Sequence, residues 1–452
     1  MKINKYLKLC SNIYHTTLNP KGVGVARVHL IPPKKLKLGQ PWVVIINGYY
    51  VLPLQTSWAI LLKEFIIEIN KTDGNEISDD IAKNILETVV TRVKAIYPGA
   101  KEKDIKKDLF DIVNTILDIA RGKTPQVDIG FTSIAKYGKN MKGPHRMDLL
   151  VSSMQKGGCY NCNQKCLLCY AKDEKLAIVN ELNTDCWYKI IDKCKEAGIP
   201  SLTFTGGEPT LREDLVDLIS YASWFVTRLN TNGILLSKEL CYRLYEANLD
   251  SVQVTLYSFD EEIHNKLVGT NTYRKTVEGI KNALDAGLDV SINTPLCNLN
   301  SNYLETVKFA HNLGVRYFSA SGIIPAGNAL NLDGIAKLSN EEITKVIDEA
   351  YKYISKNNLE IAFTSPGWID KEELKKKNMD VPSCGACLSN MAIAPNGDVI
   401  PCQSWLHEDS LGNMLKNSFS SIWNNKKCKK IRKFAMKETL KCALKEGNYE
   451  KN

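Results

Sequence analysis

The stretch from Ser201 to Pro209 reads Ser-Leu-Thr-Phe-Thr-Gly-Gly-Glu-Pro, and it decides the class of fold. Its first five residues are typical of a short β-strand, and the two glycines and the proline then end that strand. In α/β proteins ligands bind at the carboxyl ends of strands. The stretch therefore predicts a strand that leads into a ligand-binding turn.

Similar strand patterns occur on both sides of this stretch and alternate with helical patterns. The predicted strands cover residues 147–154, 201–205, 225–229, 251–257, 289–294 and 317–321. The predicted helices between them cover residues 184–197, 212–222, 238–247, 273–286 and 302–313. Strands that alternate with helices form a parallel sheet, so the pattern predicts an α/β fold with its chemistry in the loops that follow the strands.

The composition agrees with a large folded protein. The chain has 452 residues, of which 44% are hydrophobic, and this is more than one domain usually holds. The 59 lysines and arginines exceed the 50 acidic residues by nine, but they are scattered, which is a weak argument for nucleic acid. Because no signal peptide or long apolar run is visible, we expect a cytoplasmic protein that binds neither nucleic acid nor a membrane.

Fourteen cysteines in a long chain without an export signal indicate metal binding or catalysis rather than disulfides. One group lies in the loop after the first predicted strand, at Cys159, Cys162, Cys166 and Cys169. The last three form CxxxCxxC, a spacing that lets three thiolates hold three irons of a [4Fe–4S] cluster and leave the fourth iron open. The alternative is a structural zinc site completed by Cys159.

The CxxxCxxC loop, the aromatic Tyr170 after it, and Gly-Gly-Glu-Pro at the end of the next strand resemble the radical S-adenosylmethionine (SAM) superfamily. This resemblance implies a partial (β/α)6 TIM-like barrel, which the six predicted units match. It implies that Cys162, Cys166 and Cys169 hold the cluster and that Tyr170 flanks the adenine. It also implies that the turn of Gly206, Gly207, Glu208 and Pro209 holds the methionine of SAM.

Polar residues follow the later strands and extend the predicted SAM site. Ser258 and Asn293 are predicted SAM contacts, with Thr231 and Asn232 ranked below them. Each has an alternative role in ordinary turn chemistry. His264, on the following helix, is predicted to be an exposed residue without a ligand. A reduced cluster of this superfamily cleaves SAM to a 5′-deoxyadenosyl radical that abstracts hydrogen from a C–H bond.

A second group of cysteines lies near the C-terminus, at Cys384, Cys387 and Cys402. The Pro-Asn-Gly-Asp segment at residues 395–398 predicts a hairpin that returns Cys402 to the other two. Zinc fits this spacing, but beside CxxxCxxC the pattern resembles a truncated SPASM or Twitch domain, which carries auxiliary [4Fe–4S] clusters. We predict one auxiliary cluster with Cys442 as its fourth ligand, and we interpret Cys428, in Lys-Lys-Cys-Lys-Lys, as a solvated bystander.

The N-terminal part changes from strand-like patterns at residues 26–32 and 42–52 to helical patterns at 57–69, 78–97 and 103–120. The order of these features resembles a winged-helix-like α+β fold, the RiPP recognition element, in which a leader peptide pairs with an edge strand. Residues 43–46 or 49–52 are the predicted pairing edge. The alternative is a cap that shields the barrel. We expect domains at residues 1–125 (peptide recognition or cap), 126–335 (barrel) and 336–452 (auxiliary cluster).

Three functional classes remain open at this point. The domain combination favours an enzyme that modifies a ribosomally made precursor peptide, with an electron donor such as flavodoxin or ferredoxin. An enzyme of small-molecule or cofactor biosynthesis is the alternative, and a non-catalytic iron–sulfur protein or a tRNA-modifying enzyme is the third class. An epimerase would need a hydrogen donor, for which Cys159, Cys241 and Cys297 are candidates.

Overall fold

The computed structural model describes residues 6–7, 10, 12–18, 26–33, 41–48, 50–72, 77–120, 123, 141–330, 335, 337–407, 410–437 and 440–446. The chain divides into two compact units, Met1–Lys142 and Gly143–Asn452. The predicted boundary at residues 125 and 126 lies outside the described residues. The predicted division of the second unit near residue 335 stays a prediction.

The first unit combines an antiparallel sheet with three helices. Its elements are β1 (Tyr14–Leu18), β2 (Ala26–Ile31), β3 (Trp42–Ile46), β4 (Tyr50–Leu54), α1 (Thr56–Ile69), α2 (Asp79–Ile96) and α3 (Glu102–Ala120). The four strands pair in chain order, so β1 and β4 are the two edges among the described strands. The three predicted helices are confirmed to within one residue at each end.

Of the two predicted pairing edges in the N-terminal part, one is wrong. The strand-like pattern at residues 42–52 forms two strands of a hairpin that turns at Asn47 and Gly48, with φ of 51° and 65°. An Asn-Gly pair favours such a turn because both residues tolerate positive φ. Strand β3 is consequently paired on both sides, and residues 43–46 are not an edge. Strand β4 is an edge, and Tyr49 lies outside the described residues.

Buried charges link α1 to α2 inside the first unit. Lys63 and Glu64 are both buried and form an ion pair of 2.7 Å, and Lys63 also donates to the Tyr6 hydroxyl at 2.8 Å. Arg92 of α2 donates to Glu64 at 3.3 Å. Because a buried charge is costly unless it is paired, these contacts hold the two helices in register.

The second unit is built on a nine-stranded sheet in the order β13-β12-β11-β10-β9-β8-β5-β14-β15, and β6 and β7 form a separate hairpin. The strands are β5 (Arg146–Ser152), β6 (Gln155–Lys156), β7 (Cys159–Tyr160), β8 (Ser201–Gly206), β9 (Val226–Thr231), β10 (Ser251–Thr255), β11 (Asp289–Pro295), β12 (Tyr317–Ser321), β13 (Glu360–Phe363), β14 (Asn390–Ile393) and β15 (Val399–Ile400). All neighbours from β13 to β14 are parallel. The predicted α/β class and the six predicted strands are confirmed.

Helices connect the parallel strands, as βαβ units require. They are α4 (Thr184–Ala197), α5 (Leu215–Tyr221), α6 (Lys238–Glu246), α7 (Glu261–Val268), α8 (Tyr273–Asp285), α9 (Tyr303–Asn312) and α10 (Asn340–Lys356). Shorter helices follow at α11 (Lys371–Lys376), α12 (Phe419–Trp423), α13 (Lys426–Lys437) and α14 (Ala443–Glu446). The bounds of helix α4 can be predicted from the sequence, because Asn183 caps its first turn and Gly198 ends it with a φ of 76°.

The predicted hairpin at residues 395–398 is confirmed. Strands β14 and β15 pair antiparallel, and the turn is closed by a hydrogen bond of 2.8 Å from the Ala394 N–H to the Asp398 carbonyl. Strand β14 also pairs in parallel with β5, the strand that leads to the first cysteine group. The second cysteine group is therefore attached to the edge of the same sheet.

No helix in the described part of the chain combines the length and the apolar character needed to cross a bilayer.

Candidate functional site

A cavity of about 550 Å³ lies against the inner side of the parallel sheet of the second unit. Alternate residues of successive strands line it, and nearly all of them are polar, in contrast to the packed apolar interior of a closed TIM barrel. Examples are Thr205, Asn230, Gln253, Asn293 and Ser319. Thr203 is 3% exposed and lines the cavity, and its hydroxyl has no hydrogen-bond partner among the described residues. The cavity is therefore suited to a polar ligand.

Cys162, Cys166 and Cys169 all line this cavity. Two backbone hydrogen bonds of 2.9 Å, from Lys165 and Leu167 to the end of α7, fix the loop that carries them. Burial raises the pKa of the Cys162 thiol to about 12 and raises the pKa of the Cys166 and Cys169 thiols above their ordinary values. Three adjacent half-buried thiols are stabilised as thiolates by a neighbouring cation, which an iron–sulfur cluster supplies.

The three cysteines lie in one short loop at the CxxxCxxC spacing, which suits three ligands of a cluster. A structural zinc site would need a fourth ligand beside them. Cys159, which would complete a zinc site, is exposed on β7 and does not line the cavity. The donor set therefore fits a [4Fe–4S] cluster held by three cysteines.

The Gly-Gly-Glu-Pro turn lies beside the cysteine loop, with the Gly207 carbonyl oxygen 3.5 Å from the Cys162 sulfur. Gly206 has a φ of 142°, and a Cβ atom there would lie 2.4 Å from the Ser152 carbonyl oxygen. Only glycine fits this close approach to β5. Gly206, Gly207 and Glu208 line the cavity, while Pro209 begins the 3-10 turn Pro209–Leu211 behind them.

Glu208 organises the turn from inside. Its carboxylate is 1% exposed and accepts hydrogen bonds from the Thr210 N–H at 3.0 Å, the Thr231 hydroxyl at 2.6 Å and the Asn232 N–H at 2.8 Å. Burial raises the pKa of this carboxyl, and those donors act in the opposite direction. Glu208 therefore joins the ends of β8 and β9, and its oxygens are already occupied by protein donors.

We expect Glu208→Gln to weaken SAM binding about tenfold. The side-chain amide of the glutamine would direct its NH2 group at the N–H and O–H donors that the Glu208 carboxylate accepts. An unmade buried hydrogen bond costs about 1 to 3 kcal/mol, which is enough to distort the turn. Equilibrium binding of SAM to the reconstituted protein measures the effect. Glu213→Gln is the matched control because Glu213 is exposed on the same loop. Wild-type affinity in the Glu208 variant would contradict this role.

The other predicted SAM contacts divide into two sets. Tyr170, Thr231, Asn232 and Asn293 line the cavity. The Asn293 side-chain oxygen accepts from the Ser319 hydroxyl at 2.9 Å, and the Asn232 amide donates to the Asn163 side chain at 2.6 Å, so both are held in place. Ser258 is buried outside the cavity lining, and its hydroxyl accepts from the Asp260 N–H at 3.1 Å, as in a turn. Its role with SAM stays a prediction.

His264 is not exposed, which corrects the prediction made from its position on α7. Its side chain is 0% exposed, and its Nδ1 accepts a hydrogen bond of 3.3 Å from the Tyr257 N–H. Burial lowers the pKa of this imidazole to about 4, so it is neutral at pH 7. The helix turns this residue toward the strand end, which the local sequence does not reveal.

In the second cysteine group, Cys384, Cys402 and Cys442 line the same cavity. Burial raises the pKa of the Cys384 thiol and the pKa of the Cys402 thiol. These three sulfurs fit an auxiliary cluster at this cavity, and Cys442 as its fourth ligand stays a prediction.

Cys387 is placed differently. It does not line the cavity, it is 0% exposed, and its carbonyl accepts a hydrogen bond of 3.4 Å from Arg432. Cys428 is also 0% exposed, so the prediction of a solvated bystander is wrong. The apolar face of α13 buries it, and Arg432 donates to its sulfur at 3.7 Å. Cys387 as a cluster ligand stays a prediction.

The three candidate hydrogen donors do not lie on the cavity. Cys241 and Cys297 are 0% exposed, and neither they nor Cys159 line it.

Sequence reasoning also missed the polar inner face of the sheet. The strict alternation of polar and apolar residues in Ser-Val-Gln-Val-Thr of β10 was the available signal. A strand that is packed on both faces is apolar on both faces, so this alternation indicates that one face of the sheet is not packed.

Comparisons with known proteins agree with this geometry. Residues 159–310 match the family model of the radical SAM superfamily, and residues 384–444 match that of SPASM, an iron-sulfur cluster-binding domain. The structure resembles the crystal structure of Streptococcus suis SuiB bound to S-adenosylmethionine, with a TM-score of 0.61 at 17% identity over 90% of this chain and 89% of that one.

Three curated relatives differ in what their names describe. An AdoMet-dependent heme synthase of Oleidesulfovibrio alaskensis is 28% identical over 58% of this chain and 72% of its own length. A PqqA peptide cyclase of Bradyrhizobium diazoefficiens is 28% identical over 59% of this chain and 71% of its own. A probable GTP 3′,8-cyclase of Sulfurisphaera tokodaii is 32% identical over 45% of this chain and 70% of its own. The chain therefore belongs to the radical SAM superfamily and is an enzyme that binds SAM and a [4Fe–4S] cluster, with a SPASM domain that indicates an auxiliary iron–sulfur cluster.

Proposed function

We propose that this enzyme modifies a ribosomally made peptide by abstracting hydrogen from one of its C–H bonds. The observation that carries the proposal is the similarity to SuiB, for which a structure with its precursor peptide SuiA has been solved. That similarity spans 87% of both chains at a TM-score of 0.60, so it extends well beyond the barrel. The PqqA peptide cyclase is a second relative whose name refers to a peptide.

In the proposed mechanism, Cys162, Cys166 and Cys169 would hold the cluster, and the turn at Gly206 and Gly207 would receive the methionine part of SAM. When bound and reduced, the cluster supplies the electron that cleaves SAM and produces the radical that abstracts hydrogen. The protein's own task is to orient the reactants and to exclude water. We propose that a flavodoxin or ferredoxin delivers the electron.

The polar inner face is the proposed site for the reacting part of the peptide. Hydroxyl and amide groups from β8 to β12 offer hydrogen bonds to a peptide backbone without requiring a particular charge. Cys384, Cys402 and Cys442 lie on the same cavity, so the proposed auxiliary cluster is adjacent to the substrate.

We propose that the first unit binds the leader part of the precursor along β4. Among the described strands, β4 is hydrogen-bonded on one side only, so its other side is open to an added strand. Helix α1 follows β4 directly and would supply the side-chain pockets. Pro53 lacks a backbone donor, which limits how far a peptide can pair.

The leader proposal has a direct test. The isolated first unit, residues 1–142, has its own hydrophobic core and is expected to bind the leader of a precursor peptide encoded beside this gene. Titration of the labelled leader measures binding, and a scrambled leader is the control. Proline replacing Val51, whose N–H lies on the same side of the strand as the ring nitrogen of Pro53, should weaken binding by removing a backbone donor of the edge strand, while SAM cleavage by the intact enzyme persists.

The second candidate is an enzyme of small-molecule biosynthesis, which the 32% identity to the probable GTP 3′,8-cyclase favours. Under that function the first unit would act as a cap. If the unit binds no neighbouring peptide and its deletion only exposes the clusters to oxygen, the small-molecule function replaces the peptide function.

A further inference from the structure

Helix α13 carries a dense positive charge on its outer face. Its 12 residues include six lysines and one arginine and no acidic residue, beside an excess of nine positive charges for the whole chain. Residues three or four apart lie on the same face of a helix, so its exposed lysines form a stripe. This lysine stripe consists of Lys426, Lys429, Lys430, Lys433 and Lys437.

The lysine stripe is not neutralised by its surroundings. None of its five side chains forms an ion pair with another residue that the structure describes. Helix α11 shows the ordinary arrangement, in which Lys375 pairs with Glu372 at 3.1 Å and Lys376 with Glu373 at 2.7 Å. Like charges at helical spacing repel each other, so the stripe does not stabilise its own helix. Its charge is therefore available to an acidic partner.

The inner face of the same helix contacts the segments that carry the second cysteine group. Cys428 on that face is 0% exposed, and Arg432 donates to the Cys387 carbonyl at 3.4 Å. The Cys387 N–H in turn donates to the Pro401 carbonyl at 3.1 Å, and the next residue, Cys402, lines the cavity. Because a helix with its side chains is about 10 to 12 Å thick, little more than α13 separates the stripe from these segments.

We propose that the lysine stripe of α13 is the docking surface for the electron carrier, a small protein with an acidic surface around its redox centre. The inference rests on the proposed function only in requiring such a carrier. One electron passes from the reduced carrier to the iron–sulfur clusters of the enzyme, the carrier is oxidised by that electron, and no bond forms or breaks. Complementary charge brings the carrier to α13 and orients it toward the cysteine segments behind the helix.

The buried side of α13 argues against a membrane as the partner. A helix that lies on a bilayer inserts its apolar residues into the lipid, whereas Ile431, Phe434 and Ala435 are buried inside the protein. Nucleic acid is attracted by the same positive charge, so the experiment has to separate it from an acidic protein.

The test measures 5′-deoxyadenosine formed by the reconstituted holoenzyme without peptide, with electrons from a reduced carrier or from dithionite. A purified flavodoxin and a purified ferredoxin are the carriers, in separate reactions. The triple variant Lys429→Glu, Lys430→Glu and Lys433→Glu should lower the rate at limiting carrier about tenfold, because charge attraction accelerates association at least that much. The rate at saturating carrier and the rate with dithionite should keep their wild-type values.

The triple variant Lys238→Glu, Lys275→Glu and Lys281→Glu is the matched control, because it makes the same change of charge at exposed lysines of α6 and α8. It should keep the wild-type rate with either carrier. A second measurement needs no variant: the carrier-driven rate of the wild-type enzyme should fall steeply as the salt concentration rises, while the dithionite-driven rate changes little.

The proposal is overturned if the α13 variant keeps the wild-type rate at limiting carrier, if it loses no more than the control, or if salt leaves the carrier-driven rate unchanged. Loss of RNA binding by the α13 variant at full carrier-driven rate would assign the stripe to nucleic acid instead. If neither carrier reduces the wild-type enzyme, the proposed donor fails together with its docking surface. Because no peptide is present, failure of the peptide function would leave all these results unchanged.

Discussion

Protein in which Cys162, Cys166 and Cys169 are all replaced with alanine will hold about four irons after anaerobic reconstitution, instead of about eight, and will not cleave SAM. These cysteines are three adjacent thiols on the cavity that contains the Gly-Gly-Glu-Pro turn. Without them no open iron is held near Gly206 and Gly207, so the electron has no route to SAM. Iron analysis and detection of 5′-deoxyadenosine by mass spectrometry measure the two losses.

Cys186→Ala is the control for this triple replacement, because Cys186 lies in the first turn of α4 and does not line the cavity. It should keep about eight irons and wild-type SAM cleavage. Full iron content or remaining cleavage in the triple variant would place the SAM-binding cluster elsewhere.

Replacing Cys384, Cys402 and Cys442 with alanine will also reduce the iron content from about eight to about four, but substrate-independent cleavage of SAM will persist. The reason is that these sulfurs belong to the segments after β13, whereas the predicted SAM-binding turn and its cysteine loop belong to the segments around β8 and β5. Formation of the modified product, measured by mass spectrometry, should be lost.

Cys387 and Cys428 supply the comparison for this second prediction. Cys428→Ala should keep about eight irons, since its sulfur accepts from Arg432 and it does not line the cavity. Cys387→Ala decides whether that thiol is a ligand: loss of the auxiliary cluster would show that it binds iron, and retention would show that it does not. Zinc at stoichiometric level in place of iron would contradict the auxiliary-cluster assignment.

The parallel sheet was predictable because its signals are local. Each strand from β8 to β12 is a short run between a glycine or polar turn and a periodic helix, and α4 has the Asn183 cap and the Gly198 end that mark its bounds. The cysteine spacing and the Gly-Gly-Glu-Pro turn were equally visible, since both are contiguous in sequence. These features predict a site at the carboxyl ends of the strands, and the cysteine loop and the Gly-Gly-Glu-Pro turn both line the cavity.

What could not be predicted depends on contacts between distant segments. His264 is buried because α7 turns it toward Tyr257, and Cys428 is buried because α13 packs its apolar face inward despite its four lysine neighbours. Neither orientation follows from residue type. The turn at Asn47 and Gly48 is a different case, because the sequence does contain its Asn-Gly signal. The apolar residues on both sides of that pair favour strand structure, and the turn was therefore not predicted.

The central claim is that the enzyme abstracts hydrogen from a peptide. The measurement is incubation of the reduced enzyme with SAM and a deuterated precursor peptide encoded beside its gene, followed by mass analysis of both products. The claim predicts deuterium in 5′-deoxyadenosine and a matching change in the mass of the peptide. The claim is contradicted if every such peptide yields 5′-deoxyadenosine without deuterium, while a deuterated small molecule transfers its deuterium to 5′-deoxyadenosine.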